Sequence, residues 1–168
     1  AAGYLPPNHP SYLADVPALL DRAGLGAEFS YEGSIDRAEK LAFLGSLDVL
    51  SVPATYDEPK GMFLLEAMAA GVPVVQPRRG AFVEIVNKTG GGLLVDPDDA
   101  DALADGLHTL WRDRAQAARL GANAYDGVRA HYTVSRAAIR LLEVYRDVVG
   151  GHGRANTAGE RMPRRIGA

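Results

Sequence analysis

Cysteine is absent from the 168 residues, which excludes disulfides, thiolate metal sites and a cysteine nucleophile and fits a reducing compartment. An excess of positive charge is missing as well: 18 Lys and Arg stand against 21 Asp and Glu, for a net charge of -3 at pH 7. Without the basic surplus that drives binding to phosphate backbones, nucleic acid is not expected as a partner. No hydrophobic run reaches the roughly 18 residues of a membrane span. The richest window, Met62 to Val75, is broken by Glu66, Gly71 and Pro73, so no transmembrane segment is expected. The opening Ala1-Ala2-Gly3-Tyr4 has neither a basic leader nor an initiating Met, and it reads as the start of a fragment. His9, His108, His131 and His152 show no paired metal-ligand spacing, and Ser, His and Asp occur without a nucleophile-elbow pattern, so no metal is expected.

What is present suits one globular domain, with 47% apolar and 23% charged residues. Leu13, Val16, Leu19 and Leu20 recur at helical spacing up to Gly24 and Gly26, with Pro17 as a break or kink. Glu28 to Tyr31 reads as a short strand, Asp36 to Gly45 as a short helix, and Val49 to Val52 as a strand ended by Pro53. A polar loop, a helix from Gly61 to Ala70, a strand at Val74-Val75, a helix from Phe82 to Asn87 and a strand from Leu93 to Val95 follow. Strands that alternate with helices predict an α/β fold, a Rossmann-like parallel sheet with helices on both faces. From about residue 98 three helices close the domain. Pro97 is expected at the first helical position behind an Asp cap, and Leu103, Leu107, Leu110 and Trp111 are expected to form one core stripe. The third helix, capped by Thr133, runs to Val149, and its outer face is expected to be exposed, which makes a homodimer through that helix an expectation. Residues 150–168 carry a charge of +3, leave -6 on the remainder, and read as a disordered basic tail.

The stretch from Glu58 to Val75 carries the most chemistry. Glu66 is the sole charge in an otherwise apolar helix, and a carboxylate in such surroundings needs donors, from the protein or from a ligand's hydroxyls. Gly61 stands just before that helix, where the amides of Met62 and Phe63 lack internal partners and the dipole favours an anion. Pro59 restricts Glu58 to an extended conformation. Two carboxylates on either side of a helix N-terminus suit a ligand with hydroxyls at both ends and phosphate in the middle. Arg78 and Arg79 either approach phosphate or remain a solvated pair, and Thr89-Gly90-Gly91-Gly92 reads as a turn.

Glu58-Pro59-Lys60-Gly61, the apolar run after it and Glu66 eight residues on resemble the E-x7-E signature of family 4 retaining glycosyltransferases with the GT-B fold. Gly80-Ala81-Phe82-Val83-Glu84 resembles their Gly-Gly-x-x-Glu loop, Gly92 to Pro97 their last strand, and Phe29 to Gly33 the strand that ends beside the base. The resemblance covers residues 3 to 149 and implies the donor-binding, C-terminal half of a GT-B fold. It also implies a hexosyltransferase-type enzyme that binds a nucleotide-diphospho-sugar as substrate, with no cofactor. By position, Glu58 would take the hydroxyls of the transferred sugar and act as the catalytic carboxylate, while Glu66 would take the ribose. The backbone at Lys60, Gly61, Met62 and Phe63 would meet sugar and diphosphate, and Tyr31-Glu32 would lie near the base.

Two departures stand out: Lys60 replaces a more usual Phe, and Ala81 replaces the second Gly of its loop. The resemblance also implies a missing first strand and a missing N-terminal acceptor domain, so the isolated chain is expected to be inactive. The expected location is cytoplasmic, or peripheral at a membrane through the missing domain. Two rivals share the pattern: a noncatalytic GT-B-like interaction module, and another GT-B enzyme such as a nucleotide-sugar epimerase.

Overall fold

A computed structural model describes residues 1–6 and 10–155, with side chains over 1–6 and 13–150. The described chain divides into two compact units, Ala1–Asp48 and Val49–Ala168, where the sequence suggested one domain.

The first unit holds α1 (Pro10–Arg22), which accommodates Pro17 without ending, a 3-10 turn at Gly26–Glu28, and α2 (Arg37–Gly45). Asp36 starts α2 with a reciprocal cap: its carboxylate accepts from the Glu39 amide at 2.8 Å, and the Glu39 carboxylate accepts from the Asp36 amide at 2.7 Å. The strand expected at Glu28 to Tyr31 does not form. Glu28 closes the 3-10 turn, and among the described residues the main chain after it bonds to Ala1 and Gly3 rather than to a strand.

In the second unit, α3 (Met62–Ala69), β1 (Val74–Pro77), α4 (Ala81–Thr89), β2 (Gly92–Val95), α5 (Ala100–Arg112), α6 (Arg114–His131) and α7 (Val134–Ala155) follow in order. β1 and β2 pair in parallel, with Val74 opposite Gly92 and Pro77 opposite Val95, and α4 makes the crossover that parallel pairing requires. The strand expected at Val49–Val52 is reduced to one bridge, Leu50 to Val74. Alternation along β1 divides the core between the two faces of the sheet. Val74 packs with Leu64 and Met68 of α3, Phe82, Ile85 and Val86 of α4, and Ala124 and Val128 of α6. Val75 faces the other way, onto Leu103, Leu107 and Leu110 of α5 and Ala117 of α6. The chain is thus an α/β unit with a parallel sheet and helices on both faces.

Three expectations are corrected in the helical part. The cap of α5 is Asp99, whose carboxylate accepts from the Ala102 amide at 2.8 Å. Pro97 and Asp98 therefore lie outside the helix, and Asp98 has φ +60°. Trp111 is 67% exposed and stacks on His108 instead of joining the Leu103, Leu107 and Leu110 stripe. Helix α7, capped by Thr133, continues past Val149 to Ala155, and the rest of the expected tail lies outside the described residues. Every residue from Val134 to Gly150 is exposed, including Leu141, Leu142, Tyr145 and Val148. Among the described residues no helix is long and apolar enough to cross a membrane.

Candidate functional site

The segment that carries Glu58 leaves the sheet at Leu50 and is tied at successive points to β1 and the residues on either side of it. The Leu50 amide donates to the Pro73 carbonyl and the Val75 amide to the Leu50 carbonyl, each at 3.0 Å. Regular pairing then stops, and the fully buried carboxamide of Gln76 takes over. Its Oε1 accepts from the Val52 amide at 3.2 Å, and its Nε2 lies 3.5 Å from the Leu50 carbonyl. Further out, the Arg79 guanidinium donates to the Thr55 carbonyl, and the Ala81 amide donates to the Glu58 carbonyl at 2.8 Å.

Gly80 makes the last approach possible. It has φ +50° and ψ -140°, and a Cβ there would lie 2.5 Å from the Glu58 carbonyl oxygen. Only glycine adopts this conformation at low cost, and only a residue without a side chain fits against that backbone. Ala81, the departure noted in the sequence, has no positive φ and is accommodated as the first residue of α4.

The Glu58 carboxylate turns back onto its own chain. Oε1 accepts from the amides of Lys60 at 3.0 Å and Gly61 at 2.9 Å, and Oε2 lies 3.4 Å from the Tyr56 hydroxyl. The bond from Gly61, then that from Lys60, holds the carboxyl below its ordinary range, because donors stabilise the charged form. Gly61, left-handed at φ +62°, then turns the chain into α3. The first intrahelical bonds run from Leu64 and Leu65 to the Gly61 carbonyl, so the amides of Met62 and Phe63 precede the helical ladder. Met62 is exposed, whereas Phe63 packs edge-on against Phe82 at 5.8 Å. Glu66, in the next turn of α3, is half-buried rather than enclosed.

The structure thus brings Glu58, Lys60, Gly61, Met62, Phe63 and Glu66 together on one loop and helix start. It adds that the Lys60 and Gly61 amides are occupied by Glu58. Tyr31 and Glu32 belong to the other unit. There the Tyr31 hydroxyl donates to the Gly3 carbonyl at 2.6 Å, and the Glu32 carboxylate accepts from the Ser30 hydroxyl. Glu32 also lines a polar hollow with Ser34, Glu39 and Ser46.

Arg79 is neither a free phosphate ligand nor a solvated charge: it also pairs with Asp98, and its side chain is 18% exposed. The sequence reading missed Gln76, although a polar residue between Val75 and Pro77 at the end of an apolar run was a legible signal. A cavity of about 290 Å³ opens at the ends of β1 and β2, walled by Pro53, Ala54, Pro77, Val95 and Leu103 and rimmed by Asp96, Asp98 and Asp99. Among the described residues no three His, Asp or Glu side chains are grouped to hold a metal ion.

The second unit is thus an α/β unit whose parallel sheet carries a glycine-started helix and a loop-borne carboxylate beside its strand ends. The chain belongs to the glycosyl transferases group 1 family, which it matches over residues 11–127. It is 36% identical over 149 residues to the phosphatidyl-myo-inositol mannosyltransferase of Mycobacterium tuberculosis, covering 86% of this chain and 39% of that protein. To the GDP-mannose-dependent alpha-(1-6)-phosphatidylinositol monomannoside mannosyltransferase of the same organism it is 31% identical over 141 residues, 80% of this chain and 37% of the relative. Among solved structures it is similar to sucrose-phosphate synthase from Thermosynechococcus elongatus, with a TM-score of 0.75 and 30% identity over 89% of this chain and 38% of the other. The chain therefore spans about two fifths of the length of these curated relatives.

Proposed function

We propose that this chain is the donor-binding half of a family 4 retaining glycosyltransferase, truncated at its N-terminal side, and that it holds a nucleotide-diphospho-sugar. The observation that carries this reading is the Glu58 carboxylate, fixed on two amides beside the start of α3, with Glu66 one turn further along the same helix. Glu58 accepts hydrogen bonds from hydroxyls of the transferred sugar, and Glu66 accepts them from the ribose. The diphosphate meets the amides of Met62 and Phe63, where the helix dipole is positive, and Lys60 adds a cation beside it. GDP-mannose, which the name of one relative carries, is the first donor to test.

In the reaction the bond between the anomeric carbon and the diphosphate oxygen breaks, the oxygen of an acceptor hydroxyl bonds to that carbon on the same face of the sugar, and the hydroxyl proton passes to the departing diphosphate. Negative charge grows on the departing nucleoside diphosphate, and donors fixed beforehand at the start of α3 stabilise it without reorganising. The acceptor is held by a separate N-terminal domain, so the isolated chain binds donor without turnover. The exposed apolar face of α7 is a surface for that domain or for a second copy.

The test is ligand-observed NMR of this chain with UDP, GDP and ADP and their glucose or mannose conjugates, beside a folded Glu66→Ala control. Saturation transfer to one nucleotide that disappears in the control is the expected result. Equal transfer in the control removes Glu66 from the site, and transfer to no nucleotide overturns the donor reading.

A further inference from the structure

We propose that Arg79 is a positioning residue: its guanidinium, spanning the Thr55 carbonyl and the Asp98 carboxylate, sets where the Glu58 loop presents its carboxylate. The inference rests on the donor reading for its functional consequence, but the geometry stands by itself. Between the Gln76 tie at Val52 and the Ala81 tie at Glu58, the loop crosses five residues, 53–57, that no sheet pairing holds. Arg79 supplies the tie in the middle of that span. A guanidinium suits the task because its planar fork offers several fixed donors, so one side chain grips a carbonyl on one loop and a carboxylate on another. Asp98 has the positive φ, +60°, that turns the loop after β2, and its carboxylate accepts from the guanidinium. The outer anchor is therefore a carboxylate on a tight turn, 63% exposed. Withdrawal of Arg79 frees Thr55 to Asp57, and with them the direction from which Glu58 reaches the Lys60 and Gly61 amides.

The experiment measures amide hydrogen exchange by NMR on this chain as wild type, Arg79→Met and Asp98→Asn. Arg79→Met keeps the aliphatic stem and removes both polar ties. Exchange at the Lys60 and Gly61 amides is expected to rise about tenfold, the equivalent of one hydrogen bond to a charged group. The amides of Leu64, Leu65 and Val75, which bond within the helix start and the sheet, are expected to keep their rates. A rise spread equally over all five amides marks general loosening and overturns the proposal, as does no rise at Lys60 and Gly61. Should Arg79→Met fail to fold, Asp98→Asn decides: asparagine tolerates the positive φ, and a smaller rise confined to the same two amides is expected, with none overturning the idea.

A binding measurement on the same proteins separates this inference from the donor reading. In Arg79→Met the affinity advantage of GDP-mannose over GDP is expected to fall severalfold while GDP affinity holds, since only the sugar hydroxyls depend on Glu58. Wild-type protein that binds neither ligand overturns the donor reading, and the exchange result still decides the role of Arg79.

Discussion

Gly80→Ala is the substitution for which the structure gives the most definite expectation. The new Cβ would stand 2.5 Å from the Glu58 carbonyl oxygen and 2.7 Å from its nitrogen, both main-chain atoms that cannot rotate away. The backbone at φ +50°, ψ -140° adds its own cost, about 1 to 3 kcal/mol for a residue with a side chain. Relief of the clash requires the two segments to part, which breaks the 2.8 Å bond from the Ala81 amide to the Glu58 carbonyl and costs about 1 kcal/mol more. The expected total is about 3 kcal/mol, or a melting point lower by about 6 to 12 °C for a chain of this size. Gly71→Ala is the control: φ there is +81°, but a Cβ would meet nothing within 4 Å, so it carries the conformational cost alone. Urea unfolding of both variants beside the wild type gives the difference directly. A Gly80→Ala loss no larger than that of Gly71→Ala would refute the close packing of Gly80 on the Glu58 backbone.

Two further substitutions test other parts of the same unit. Because amide donors lower the Glu58 carboxyl, its stabilisation is fully present above the ordinary value of 4.5 and is lost as pH falls through the lowered one. The stability gap between wild type and Glu58→Gln, followed by urea unfolding at stepped pH, should close on acidification, and a gap that stays constant or widens contradicts the capping role. At the end of α6 the Tyr132 hydroxyl is buried without a hydrogen-bond partner among the described residues, and burial, then the charge of Glu84, raises its pKa. Tyr132→Phe keeps the ring beneath Lys88 and removes the unpaired group, so stability should hold or rise by up to about 1 kcal/mol. A loss of more than that amount would mean that the hydroxyl has a partner.

The parts of this fold that were legible are those in which one segment carries its own information. The apolar run in α3, the short apolar runs at β1 and β2, and the glycines at 61 and 80 are local signals, and the elements formed where those signals lie. The parts that failed depend on partners elsewhere in the chain. Val49 to Val52 has the composition of a buried strand, yet a strand exists only as far as a neighbour pairs with it, and beyond Leu50 the bonds to β1 pass to the Gln76 side chain. Trp111 fits the α5 stripe by periodicity, but it stands one residue beyond Leu110, a rotation of about 100° that puts its ring outside. The pair Glu58 and Glu66 could be named from spacing, whereas the ties that aim Glu58 could not. Gln76, Arg79 and Ala81 act on main-chain atoms of residues 50–58, and a main-chain atom leaves no mark on residue type. Sequence therefore shows which side chains stand in a pattern more readily than it shows what holds them in place, and here the holding is done largely by the six residues from Gln76 to Ala81.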